Sequence, residues 1–169
     1  MTTKYDQSRF RAEPFDVQSA EVLTELMELS GATGQEECGG TFAATLEEWH
    51  SADTSLVHGL IFSLDQAPVG CVLLKHPPAS PDWVQQGDIS IHGLKIDYRF
   101  QGLGLGGLAF AATLTAAKVR WPQAHRATLA VDAENAAALN LYKRHGMQEI
   151  GPPVQGRIGY EYRLGCTLK

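Results

Sequence analysis

The segment from Gln101 to Gly107 reads QGLGLGG, so Gly102, Gly104, Gly106 and Gly107 alternate with Leu103 and Leu105 in one short stretch. Residues 89–96 before it alternate as a strand. Residues 108–120 after it are alanine-rich, carry Leu108, Ala112, Thr115 and Val119 near one face, and read as a helix ended by Trp121-Pro122. A glycine-rich turn from strand into helix lets backbone amides converge at the positive end of the helix dipole, where an anion such as a diphosphate is held. Side chains larger than hydrogen would keep a ligand away from those amides. The competing reading is a flexible turn that binds nothing.

The same residues satisfy G-x-G-x-x-G at Gly102, Gly104 and Gly107, and Asp132 ends a later strand, as a dinucleotide-binding fold requires. Two features oppose that reading. The first glycine should follow its strand at once, whereas Asp97, Tyr98, Arg99, Phe100 and Gln101 intervene after Ile96. A nucleotide fold beginning near residue 89 also leaves too little chain for its remaining βα units.

The 169 residues suffice for one sizeable core, so residues 1–169 are expected to form a single domain. A net charge of −5 argues against a nucleic-acid partner and weakly favours a cationic acceptor. Cys38, Cys71 and Cys166 are odd in number, widely separated and without C-x-x-C spacing. They are expected to be reduced thiols in the cytoplasm rather than a disulfide framework or a metal centre. No window approaches the ~20 apolar residues of a membrane span, and residues 1–20 lack the apolar stretch of a signal peptide.

Elsewhere the pattern predicts a strand over residues 9–15, then a helix through Val22, Leu23, Leu26 and Leu29, capped by Asp16 or Ser19 and stopped at Gly31. Residues 31–40 hold four glycines and the Glu36-Glu37 pair, and read as a mobile loop. A helix over 41–50 follows, then strands 56–64 and 69–74 joined around residues 65–68 as a hairpin. Residues 127–131 and 159–164 read as strands flanking a helix over 135–144.

The connector with Arg99 and Gln101 followed by Q-x-x-G-x-G at Gln101, Gly104 and Gly106 resembles the cofactor motif of the GCN5-related N-acetyltransferase (GNAT) family. Asn135, Ala138, Leu141, Tyr142 and Gly146 reproduce a second family pattern, N-x-x-A-x-x-L-Y-x-x-x-G, with Met147 where phenylalanine is commoner. The two motifs stand in the family's order and spacing, and the resemblance covers roughly residues 88–150.

It implies an α/β fold with a mixed, largely antiparallel sheet of six or seven strands, splayed in the middle between the strands ending at Ile96 and Val131, with helices on both faces. It implies acetyl-coenzyme A as donor, direct transfer to a small-molecule or peptide amine, and no metal. The cofactor is expected on the amides of Gln101, Gly102, Leu103, Gly104, Leu105, Gly106 and Gly107, on the backbone of Leu94, Lys95 and Ile96, and on Asn135. Asn135 reads equally as a helix N-cap. Tyr142 matches the residue that serves the departing thiolate, against the plain reading of a half-buried helix tyrosine. Ser90 stands where many members carry a glutamate base, and His92, two residues on along the same strand face, is the expected base, with an ordinary pKa near 6.5. A carbonyl-bonded core histidine is the alternative. Asp88 and Glu36-Glu37 are weaker candidates, read as solvated loop acids. A homodimer stays open, as does a non-catalytic acyl-coenzyme A sensor in place of an enzyme.

Overall fold

A computed structural model describes residues 6–32, 35, 36 and 39–169. Glu37 and Cys38, singled out in the sequence, lie outside the described residues. Eight strands form one open sheet: β1 (Phe10–Pro14), β2 (Val57–Leu64), β3 (Ala67–Lys75), β4 (Asp88–Ile96), β5 (Arg126–Asp132), β6 (Gln148–Glu149), β7 (Val154–Gln155) and β8 (Tyr160–Thr167). Their order is β1-β2-β3-β4-β5-β8-β6, with β7 also beside β8. Six or seven were expected. The additional strands are the two-residue β6 and β7, too short to show any periodicity.

Among the described residues four α-helices stand against the sheet: α1 (Ala20–Met27), α2 (Phe42–Ser51), α3 (Leu105–Arg120) and α4 (Ala136–Arg144). Side-chain oxygens of Ser19, Thr41 and Asn135 cap the first, second and fourth by accepting from Val22, Ala44 and Ala138. α3 starts earlier than residue 108, inside the glycine segment. Gln35, Glu36 and Gly39, in the stretch expected to be a loop, have helical backbone, with Gly40 N bonding Glu36 O at 2.9 Å. Local i to i−4 bonds form there without any apolar stripe to announce them.

Strand alternation divides the core between the two faces. Leu60, Phe62, Val72, Leu74, Ile89 and Ile91 pack with Leu105, Ala109 and Phe110 of α3 and Tyr142 of α4. Ile61, Cys71 and Leu73 face Leu26 of α1 and Phe42 and Leu46 of α2.

Every strand pairing is antiparallel except that of β4 with β5, which extends only over Asp88 with Arg126, Ile89 with Ala127 and Ser90 with Thr128. Arg126 closes that end through two bonds to Asp88 Oδ2, at 2.6 and 3.0 Å. Asp88 is thus a buried strand residue in an ion pair, not a solvated loop acid. Past Ser90 the strands part, and the edge of β4 from Ile91 to Ile96 has no pairing with β5.

β4 also carries a bulge. Its register with β3 runs from Leu73 opposite His92 to Cys71 opposite Lys95, so β4 uses one more residue than β3, and Gly93 takes φ 59° to allow it. Since side chains alternate with period two, the extra residue returns Lys95 to the face that holds Ser90 and His92.

Candidate active site

The opening between β4 and β5 leads to the N-terminus of α3. Gly102 and Gly104 have φ 74° and 83°, left-handed values that a Cβ makes costly. Leu103 and the buried Leu105 point into the core and anchor the loop between them. Gln101 Nε2 turns back to donate to Ile96 O at 3.0 Å and to Gln35 Oε1 at 2.9 Å. The buried carboxylate of Asp97 accepts from Arg99 N, Nε and Nη2 and from Ser30 N. Burial pushes that carboxyl up, and the bonds from Arg99 and Ser30 outweigh it, holding it below the usual carboxylate range.

α3 differs from the other helices in lacking a side-chain cap: its N-cap is Gly104. The first amides of a helix have no intrahelical partner, so those of Leu105, Gly106 and Gly107 are left for a ligand. Gly106 and Gly107 face α4. A Cβ on them would stand at ordinary contact distance, 3.6 Å from Leu141 Cδ2 and 3.5 Å from His145 Cε1, so α4 packs beside these two glycines without itself demanding them.

On the opposite face of the sheet, His92 Nε2 lies 2.7 Å from Ser90 Oγ, which lies 2.8 Å from Ser80 Oγ, which donates to Lys75 O at 2.9 Å. A carbonyl only accepts, and this fixes every proton in the chain. Ser80 donates to Lys75 O, Ser90 donates to Ser80, and His92 donates from Nε2 to Ser90. Nδ1 therefore carries the lone pair. The pKa is far from 6.5: burial, aided by the Lys75 charge, pushes it down to about 3. His92 is neutral at physiological pH.

Tyr142 is buried on α4 with its ring 5.0 Å from that of Phe110. Burial raises its phenol to about 12. Among the described residues the hydroxyl has no hydrogen-bond partner. Asn135 Oδ1 accepts from Ala138 N at 3.1 Å, so the cap reading of this residue holds, and its amide nitrogen stays available.

A family model described as acetyltransferase (GNAT) matches residues 23–147. The chain belongs to this acetyltransferase (GNAT) family. The fold is shared with solved GNAT structures of low sequence identity. Spermidine N-acetyltransferase from Vibrio cholerae, in complex with coenzyme A and spermine, is 18% identical with TM-score 0.71, over 95% of this chain and 96% of that one. An aminoglycoside acetyltransferase in complex with coenzyme A is 20% identical with TM-score 0.71, over 94% of both chains. The ribosomal-protein-S18-alanine N-acetyltransferase from Escherichia coli is 14% identical with TM-score 0.64, over 94% of both. No curated protein sequence matches significantly.

The donor-side residues of this GNAT chain fit a pantetheine pyrophosphate: an uncapped helix start for the phosphates beside an unpaired strand edge for the amide arm. Sequence reasoning missed the side chain of Lys95. It is 1% exposed, and Nζ donates to Gly39 O at 2.9 Å, Thr41 O at 3.3 Å and Thr45 Oγ1 at 2.6 Å. All three ammonium donors are satisfied, which ties the segment entering α2 onto β4. Burial lowers the Lys95 pKa from its ordinary value, with the nearby Cys71 opposing. The available signal was Gly93, a strand glycine that marks a bulge and so a change of face.

Among the described residues no group of three His, Cys, Asp or Glu side chains could hold a metal ion, and no helix is long and apolar enough to cross a membrane. Glu36 is not free-standing, since Oε1 accepts from Gly31 N at 2.9 Å.

Proposed function

We propose that this chain is an acetyl-coenzyme A-dependent N-acetyltransferase that moves an acetyl group to the primary amine of a small molecule or peptide by direct transfer in a ternary complex. The observation that carries the reading is the uncapped start of α3 beside the free edge of β4, built from the family's own motif residues. When bound, the cofactor supplies an activated acetyl thioester.

The chain's residues do the rest. Amides of Gln101 to Gly107 hold the pyrophosphate, and the backbone of Leu94, Lys95 and Ile96 receives the pantetheine arm, with Asn135 beside it. An amide of that strand polarises the carbonyl without any side chain. His92 Nδ1 is the acceptor towards which an attacking amine directs its N–H. With a pKa near 3 it cannot strip an ammonium, so the amine arrives through its own neutral fraction and His92 orients it. Tyr142, with a phenol near 12 against ~8.5 for an ordinary thiol, stays protonated and stabilises the departing sulfur by hydrogen bonding. The free thiols Cys71 and Cys166 accord with a reducing cytoplasm.

A second reading, a non-catalytic acyl-coenzyme A sensor, is favoured by Ser90 at the position where many family members carry glutamate. Thiol release from acetyl-coenzyme A, followed across amines, amino acids and peptides, separates the two. Acceptor-dependent release supports the enzyme, and tight cofactor binding with no release across the panel supports the sensor.

A further inference from the structure

The strand register pairs Ala130 with Arg163, and His92 follows two residues after the last β4–β5 pair, so the three stand on one face of the sheet at the start of the opening. Ser90 pairs with Thr128 and Thr128 with Gly165, and two residues along each strand from these lie His92 on β4, Ala130 on β5 and Arg163 on β8. Paired residues share a face, so all three side chains project from the face opposite α3. Ala130 is small and exposed, which leaves a notch between the imidazole and the guanidinium. The notch lies where β4 and β5 separate.

Arg163 lacks the partner that a partly buried guanidinium ordinarily has. Its Nε is shut off from solvent with no hydrogen-bond acceptor, and among the described residues no carboxylate is within ion-pair distance. The half-buried Trp83 ring, 4.8 Å from Cζ, holds the plane of the group and leaves its outer nitrogens free. Lys75 is the other cation near His92, and it is already paired with Glu48, so Arg163 is the cation on this face left without a carboxylate among the described residues. A fixed guanidinium fork without an internal anion is suited to a carboxylate, which it grips through two parallel bonds.

We infer that Arg163 selects an acceptor that carries a carboxylate as well as its amine, an amino acid or the C-terminal end of a short peptide, with the amine at His92 Nδ1 and the carboxylate on the guanidinium. This rests on the acetyl-transfer reading for its chemistry, though not for its binding.

The test uses amino acids of increasing chain length, each paired with its carboxamide, in thiol-release assays and in calorimetric titrations of protein saturated with coenzyme A. Wild type should prefer the carboxylate member at least tenfold, and in Arg163→Gln that ratio should collapse towards one. Arg163→Lys, which keeps the charge and loses the fork, should fall between. Preferential binding of the carboxylate members without acetylation would refute the enzyme reading and leave the carboxylate site standing. Carboxamides or diamines bound as well as amino acids, or Arg163→Gln weakening coenzyme A itself, would overturn the inference.

Discussion

His92 Nε2 donates to Ser90 Oγ across 2.7 Å, and the donors behind Ser90 leave Nδ1 as the acceptor of that ring. Ser90, at the position where many family members carry glutamate, thereby fixes the orientation of the His92 ring. Ser90→Ala removes the acceptor for Nε2–H and frees the ring to turn or change tautomer, so kcat should fall about tenfold with KM for the donor unchanged. His92→Ala removes the hydrogen-bond acceptor that orients the amine and should cost more, about 100-fold, as misplacement of a reacting group can. Steady-state kinetics of the two variants checks the order.

Since the His92 pKa is pushed down to about 3, no step of the pH–rate profile should occur near 6.5. The rate should instead rise with pH along the acceptor's own amine titration, and shift when an acceptor of lower amine pKa is used. An inflection near 6.5 that vanishes in His92→Ala would show a base of ordinary strength.

The same depressed value affects stability. An unfolded chain takes up a proton at His92 below about 6.5, whereas the folded one resists until about 3. The unfolded state therefore binds more protons throughout that window, and stability falls as pH falls through it. Between pH 7.5 and pH 5 this costs up to about 2 kcal/mol, and His92→Gln should remove that part of the slope. Urea denaturation at the two pH values measures it.

Tyr142→Phe deletes a hydroxyl that has no partner among the described residues and keeps the ring against Phe110. Stability should change by less than about 0.5 kcal/mol, coenzyme A affinity by less than about twofold, and kcat should fall about 10- to 100-fold. Equal kcat in the two proteins would remove Tyr142 from the reaction.

Much of this arrangement was legible in the sequence because it depends on local signals. The glycines at 102 and 104, the caps at Ser19 and Asn135, and the alternation of β2 to β4 each follow from backbone sterics or period. Apart from the exact residues of one hairpin turn, the missed features depend on contacts distant in sequence. The turn between β2 and β3 is tightened to Asp65 and Gln66, both at positive φ, so Ala67 and Pro68 already belong to β3. Lys95 finds its acceptors on Gly39, Thr41 and Thr45, 50 to 56 positions away. The His92 pKa is set by packing around β4 that no local pattern encodes. Arg163 became visible only when the strand register set it on one face with His92.

On the acetyl-transfer reading, the uncapped helix start after Gly104 holds the coenzyme A pyrophosphate. Gly104 sits at φ 83°, so Gly104→Ala should cost about 1–2 kcal/mol of backbone strain and move the amides of α3 off their aim. Calorimetric titration of wild type and Gly104→Ala with coenzyme A is the direct measurement. One-to-one binding to the wild type, at least tenfold weaker in the variant and insensitive to NAD, is the predicted result. No binding heat in a folded wild-type protein, or competition by NAD, would contradict it.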